Sequence, residues 1–137
     1  MPHAIVEYSA NLEEKLDLNG LIDAIHEACI GTGVFPLTGM RTRGARRDHY
    51  KISNGKIDAC FIHLQLKLGP GREEEVKKEA MEYVFGALQD YVQPLMDKSP
   101  VALSIEIFEL PPVLRINKHN LADYLSEEEL QIGKKVA

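Results

Sequence analysis

The sequence predicts an α/β (α+β) fold in which one four-stranded mixed sheet carries two helices on one of its faces. Two segments alternate apolar and polar residues with the period typical of strands, and two others repeat apolar residues at helical spacing. The order strand, helix, strand occurs twice, in pseudo-repeats of about residues 2–52 and 57–110. Right-handed crossovers place both helices on the same face of the sheet.

The first pseudo-repeat is predicted to contain a strand, a helix and a second strand. Residues 4–8 form a short β-branched stretch that indicates strand one. Apolar residues within 18–29 recur at helical spacing and stop at Gly31, as expected of an amphipathic helix with a glycine stop. Residues 37–43 follow a proline and are predicted to be extended.

The second pseudo-repeat follows the dipeptide Asn54-Gly55, a strong hairpin signal that predicts two strands meeting there. Residues 60–68 and 101–108 alternate as strands. Between them, helix two begins with three glutamates, which the helix dipole favours, and runs to about Pro94. These elements form a single domain of residues 1–125, and residues 126–137 are a polar tail and a weak helix candidate.

The composition indicates one soluble domain. The 137 residues are 45% hydrophobic, enough for a core, and the net charge of −5 argues against bulk attraction to nucleic acid. Two cysteines fit reduced thiols in the cytoplasm, and the five histidines lack metal-ligand spacing. No segment has the length of a membrane span or the features of a signal peptide, so we expect no membrane partner. Because of the net negative charge, we also expect no nucleic-acid partner. Apolar residues on both faces of the strands predict oligomerisation.

Pro2 is the most unusual candidate for chemistry. Removal of Met1 leaves a proline with a free secondary amine at the head of a strand. An α-amino group has an unperturbed pKa of roughly 7.7 to 8.0, and burial or nearby cations lower it toward neutral pH, where the amine acts as a base. The plainer interpretation is that many chains begin Met-Pro without catalytic purpose.

Three arginines are candidates for binding anions. Arg41 and Arg43 lie two apart on a predicted strand, so they share a face on which two guanidinium groups donate hydrogen bonds to carboxylates. The alternative is a solvated edge strand protected by charge. Arg72 follows Gly69-Pro70-Gly71 at the start of helix two, where glycines permit close approach of a ligand. A pairing of Arg72 with Glu75 is its plainer interpretation. The glycines do not match a nucleotide-binding fingerprint.

Four stretches of the chain resemble the 5-carboxymethyl-2-hydroxymuconate isomerase family of the tautomerase superfamily. They are MPHAIVEYS, GTGVFPLTGMRTR, HLQLKLGPGR and LSIEIFEL, and their order and spacing extend the resemblance over roughly residues 2–121. The resemblance implies a homotrimer that uses the processed proline as its base and needs no cofactor. It implies that Pro2 moves a proton from the 2-hydroxyl of a dienol to carbon 5, giving the 2-oxo product, in homoprotocatechuate catabolism.

The same resemblance assigns roles to the arginines and leaves alternatives open. Arg41 matches the family's second-strand arginine and is assigned to charge stabilisation, and Arg43 to carboxylate binding. Arg72 is a candidate for substrate binding, and it serves either a neighbouring subunit's site or only the fold. One alternative function is tautomerisation of another enol acid such as phenylpyruvate. Another is a trimer that binds an anion without catalysis.

Overall fold

The computed structural model describes residues 2–134 and contains one four-stranded sheet and two α-helices. The six elements follow one another as two β-α-β units, which confirms the predicted fold class. Their bounds are β1 His3–Ser9, α1 Leu18–Gly31, β2 Arg41–Arg47, β3 Cys60–Leu68, α2 Glu74–Met96 and β4 Val101–Glu109.

The sheet is mixed, with the strand order β2-β1-β3-β4. Strands β1 and β2 are parallel, β3 and β4 are parallel, and the two units meet through the antiparallel pair β1 and β3. Each helix therefore connects two parallel neighbours, as a β-α-β crossover requires. Strands β2 and β4 are the two edges of the sheet.

Local sequence explains the ends of the helices. The Asp17 side chain accepts a hydrogen bond from the backbone N–H of Gly20 at 3.2 Å and so caps α1. Two glutamates occupy the first turn of α2, where the positive end of the helix dipole stabilises them. The helix ends at Met96, two residues beyond the predicted end at Pro94. Pro94 has no N–H to donate to the preceding turn, but the two residues after it still belong to the helix.

The core lies between the sheet and the two helices. Every second residue of the central strands points at the helices and is buried, and the helices contribute their apolar stripes. The fully buried members with the largest side chains include Phe35, Leu12, Leu21, Ile25, Ile62, Leu64, Leu66 and Leu88.

The other face of the sheet carries no helix and is largely polar. Glu7 of β1 accepts from Arg47 of β2 at 2.7 Å, and His63 of β3 lies 2.9 Å from Glu106 of β4. The prediction that apolar residues occupy both faces is therefore wrong for most of this face, because the residues between the buried positions are mainly charged or polar.

The prediction of an extended segment over residues 37–43 is wrong in its first half. Leu37–Gly39 forms a 3₁₀ turn, closed by a hydrogen bond of 3.2 Å from the N–H of Met40 to the carbonyl of Leu37. Strand β2 starts only at Arg41 and extends to Arg47. The segment has few large apolar residues and therefore no alternation of apolar and polar residues. Without that alternation the sequence could not locate the two ends of β2.

The prediction of a hairpin at Asn54-Gly55 is also wrong. A tight turn does form there, since the N–H of Gly55 donates to the carbonyl of Ile52 at 2.9 Å and Gly55 has φ of 73°. No strand flanks this turn within residues 48–59, and β1 lies between β2 and β3. The turn signal was correct, but the strands on either side of it do not pair with each other.

The chain after β4 returns across the domain instead of forming a helix. Its regular structure within residues 110–134 consists of two short 3₁₀ helices, Leu121–Tyr124 and Glu129–Gln131. The carbonyl of Ile132 accepts from the N–H of Leu37 at 3.0 Å, so the tail packs on the loop before β2. Residues 135–137 of the predicted tail lie outside the described residues. No helix in the described part of the chain is long and apolar enough to cross a membrane.

Candidate functional site

Pro2 lies in a pocket of about 380 Å³ at one end of the sheet. Strand β1 starts at the next residue, His3, which is flanked by Arg41 on one side and Lys67 on the other. Pro2 is thus held at the end of a central strand. The remaining walls come from the loop after α1, the loop after β3 and the segment after β4, through Val34, Pro36, Thr38, Gly39, Leu68, Gly69, Pro70, Arg72, Arg115 and His119.

Arg72 lines the same pocket and is anchored by backbone carbonyls. Its Nη2 donates to the carbonyl of Val34 at 3.0 Å, and its Nη1 lies 3.5 Å from the carbonyl of Gly69. The preceding residue, Gly71, has φ of 109°, a conformation that glycine adopts without strain. Within residues 2–134 no ion pair joins Arg72 to Glu75, so the plainer interpretation of Arg72 is wrong.

Arg115 and His119 also line this pocket, and the sequence analysis missed both. They lie in the irregular segment that follows β4, where no periodicity pointed to a site. The backbone N–H of Leu121 donates to Nδ1 of His119 at 3.2 Å, so a neutral His119 carries its proton on Nε2. The available signal was a basic stretch, Arg115, Lys118 and His119, in an acidic chain.

The pocket is electropositive. It is lined by two arginines and a histidine, and no Asp or Glu is among its described lining residues. Guanidinium groups bind carboxylates through paired charge-assisted hydrogen bonds, and a cleft lined by one sign of charge concentrates ligands of the other sign. Its volume falls at the small end of the range for small-molecule sites. The arrangement suits a small organic anion held beside the Pro2 nitrogen.

Arg41 and Arg43 lie on β2, beside the start of β1, but line a different cavity from Pro2. They share a face, as predicted, and both approach His3: Arg41 Nη2 lies 3.3 Å from Nε2 and Arg43 Nη1 lies 3.2 Å from Nδ1. Burial, followed by the charges of the two guanidinium groups, lowers the pKa of His3 below 6.5. Both arginines line a separate cavity with Asp23 of α1, and neither lines the Pro2 pocket.

Metal chemistry has no obvious ligand set in the described chain. Among residues 2–134 no group of three His, Cys, Asp or Glu side chains is close enough together to hold a metal ion. Both cysteines are buried, and burial raises the pKa of the Cys29 thiol to about 12. The structure thus brings together Pro2 and Arg72 in one site and Arg41 and Arg43 in another.

The fold is similar to that of solved structures with low sequence identity to this chain. A fused 4-OT, solved as a wild-type symmetric trimer, superimposes with a TM-score of 0.55 at 18% identity and covers 78% of this chain and 85% of that one. A member of the cis-3-chloroacrylic acid dehalogenase family superimposes with a TM-score of 0.57 at 16% identity, over 80% of this chain and 75% of that one. At these identities the likeness concerns the fold.

Closer similarities define the family. The model of the 5-carboxymethyl-2-hydroxymuconate isomerase family matches residues 2–125. A 5-carboxymethyl-2-hydroxymuconate Delta-isomerase of Escherichia coli is 38% identical over 121 residues, 88% of this chain and 96% of that protein. A crystal structure of a 5-carboxymethyl-2-hydroxymuconate isomerase from Deinococcus radiodurans R1 has a TM-score of 0.81 at 31% identity, over 91% of this chain and 95% of that one.

A further crystal structure, of a 5-carboxymethyl-2-hydroxymuconate delta-isomerase, has a TM-score of 0.84 at 27% identity and covers 93% of this chain and 94% of that one. The chain belongs to the 5-carboxymethyl-2-hydroxymuconate isomerase family. It is therefore an enzyme of a family of isomerases, as the resemblance in the sequence predicted.

Proposed function

We propose that this enzyme isomerises 5-carboxymethyl-2-hydroxymuconate to its 2-oxo-3-ene isomer, a step in the catabolism of homoprotocatechuate. The observation that carries the proposal is the shared pocket of Pro2 and Arg72, which no described acidic side chain lines. The names of its family and of its relatives support the same substrate. The substrate carries three carboxylates, which an electropositive site attracts.

The proposed base is the nitrogen of Pro2 once Met1 has been removed. While Met1 is attached, that nitrogen is an amide without a basic lone pair; after removal it is a secondary amine. The amine takes the proton of the 2-hydroxyl, the C2–O bond becomes a carbonyl as the conjugated double bonds shift, and the same nitrogen delivers a proton to carbon 5. The reaction is redox-neutral, so the proposal includes no cofactor.

Arg72 is proposed to hold a carboxylate and to stabilise the negative charge that develops on the C2 oxygen. Its two contacts to backbone carbonyls fix the guanidinium group before substrate arrives, and fixed donors aimed at developing charge are the most effective kind. The sequence analysis gave this role first to Arg41. We favour Arg72 because, within one chain, it lines the pocket of Pro2 and Arg41 does not.

Arg41 and Arg43 are proposed to act in catalysis through a second copy of the chain. Both lie on edge strand β2, exposed and without an acidic partner among the described residues. The fused 4-OT of similar fold is a symmetric trimer, which supports a homotrimer here. In such an assembly we propose that these two arginines face a neighbouring subunit and contribute carboxylate binding there.

The test is turnover by protein whose intact mass shows that Met1 is absent. Ultraviolet absorbance follows the loss of the dienol, with 5-carboxymethyl-2-hydroxymuconate as one substrate and the enol of phenylpyruvate as the other. We expect the tricarboxylate to react with a much higher kcat/KM, since a monocarboxylate engages fewer arginines. A higher kcat/KM with phenylpyruvate would reject the proposed substrate, and no turnover of either would reject the enzyme activity.

A further inference from the structure

The segment after β4 carries Arg115 back to the pocket of Pro2. The N–H of Leu110 donates to the carbonyl of Leu68 at 2.8 Å, which keeps the end of β4 beside the end of β3. A tight turn follows, in which the N–H of Arg115 donates to the carbonyl of Val113 at 2.9 Å. This path delivers the guanidinium group to the loop at Gly69, and Arg115 lines the pocket.

The guanidinium group of Arg115 packs closely against Gly69, where a side chain would push it aside by a few tenths of an ångström. A Cβ atom built on Gly69 would lie 3.2 Å from Nη1 and 3.4 Å from Nη2 of Arg115. The backbone of Gly69 does not have a positive φ, so its conformation does not require glycine. The absence of a side chain at this position therefore makes room for the arginine.

Arg115 differs from Arg72 in what its guanidinium group binds. Nη1 of Arg115 is buried and has no hydrogen-bond partner among residues 2–134, whereas Arg72 donates to backbone carbonyls. Buried polar groups are nearly always paired, and an unpaired one is costly. Nη1 has almost no exposed surface, so an anion in the pocket supplies the missing acceptor once the guanidinium group turns slightly toward it.

We propose that Arg115 binds a second carboxylate in the Pro2 pocket and thereby selects polycarboxylates over monocarboxylates. This inference rests on the proposed function and deepens it, because it names the residue that recognises the additional carboxylate. Arg72 holds one carboxylate from the loop that begins α2, and Arg115 holds another from the segment after β4. Substrates with a single carboxylate engage Arg72 and leave Arg115 unpaired.

The test compares two probes that differ by one carboxylate on the same conjugated carbon chain. They are trans,trans-muconate, a dicarboxylate, and sorbate, its monocarboxylate counterpart. Binding to the full-length, Met-free protein is measured by isothermal titration calorimetry for the wild type, Arg115→Gln and Lys118→Gln. Lys118 is the matched control, since it is exposed, belongs to the same segment, carries the same charge and does not line the pocket.

We expect Arg115→Gln to weaken muconate binding on the order of 10-fold to 100-fold, the loss typical of a hydrogen bond to a charged group, and to change sorbate binding less than twofold. Lys118→Gln should change neither. Gly69→Ala, which displaces the guanidinium group without removing it, should weaken muconate binding by a smaller factor. Thermal unfolding confirms that each variant is folded.

Three results would overturn the inference: equal loss of both probes in Arg115→Gln, equal loss of muconate in Arg115→Gln and Lys118→Gln, or no preference of the wild type for muconate over sorbate. None of these depends on turnover. If the dicarboxylate preference is found and lost with Arg115 but the enol is not isomerised, the binding role stands and the proposed reaction fails. If the enol is isomerised but the wild type does not prefer muconate over sorbate, the proposed reaction stands and the binding role of Arg115 fails.

Discussion

Replacement of Arg72 by alanine separates a role in the fold from a role in the site. The side chain makes one good hydrogen bond, to Val34 at 3.0 Å, and one long contact, to Gly69 at 3.5 Å. A hydrogen bond from a charged donor contributes about 1.5–3 kcal/mol, and here the released carbonyls line a pocket that water can enter. We therefore expect the free energy of unfolding to fall by about 1–2 kcal/mol in Arg72→Ala, which leaves the protein folded.

The loss of activity in Arg72→Ala should be larger than its loss of stability. Removal of one fixed donor that stabilises developing negative charge lowers kcat on the order of 10²-fold, and we expect kcat/KM for 5-carboxymethyl-2-hydroxymuconate to fall at least that much. Urea unfolding and the ultraviolet turnover assay measure the two effects on the same samples. Arg72→Lys, which keeps the charge but not the planar fork, should recover part of the activity.

The matched control is Glu75→Ala, because an ion pair with Glu75 is the competing interpretation of Arg72. Glu75 is exposed and should change the free energy of unfolding by less than about 0.5 kcal/mol. Unchanged kcat/KM in Arg72→Ala would refute the catalytic role. A loss of stability in Glu75→Ala equal to that in Arg72→Ala would instead refute the structural assignment of Arg72 to the two carbonyls.

Two further predictions concern pH. Burial and the hydrogen bond of 2.7 Å to Glu13 raise the pKa of Tyr8 to about 12, so the folded protein keeps this proton when the unfolded chain loses it. The free energy of unfolding should fall as the pH rises from about 10 to about 12, and Tyr8→Phe should make that slope smaller, the rest coming from groups such as Cys29 whose pKa is also raised. Tyr124→Phe, at an exposed position, should leave the slope unchanged. The pKa of His3 is lowered, so the folded protein resists protonation there; nuclear magnetic resonance should give His3 a midpoint below 6.5, and stability should decrease as the pH falls through it. A His3 midpoint at or above 6.5 would contradict its burial beside two guanidinium groups.

The sequence predicted those strands and helices whose apolar residues repeat with the period of the element that they form. Strand β3 alternates without a break and was located at its observed bounds, and both helices followed from their apolar stripes. Strand β2 was misplaced, because Arg41–Arg47 contains arginines, glycine and alanine and has no apolar alternation. Its position depends on pairing with β1, a tertiary contact that a local pattern does not contain.

The candidate site divides in the same way. Pro2 was a candidate because removal of Met1 leaves a secondary amine that can act as a base. Arg72 was a candidate because glycines precede it. Arg115 could not be predicted, because its relation to Pro2 depends on the path of an irregular segment across the end of the sheet. That Arg41 and Arg43 line a cavity with Asp23 and not the Pro2 pocket also depends on tertiary structure, which a local pattern does not contain.

The most direct test of the central claim, catalysis by the Pro2 amine, is turnover by the Pro2→Ala variant beside the wild type. Intact mass first establishes that Met1 is absent from both proteins, so that each begins with a free amine. We expect the wild type, with its secondary amine, to turn over 5-carboxymethyl-2-hydroxymuconate rapidly and the variant, with its primary amine, to do so far more slowly. The affinity for muconate and the midpoint of thermal unfolding should be the same in both proteins. Equal turnover by the two proteins would contradict the claim.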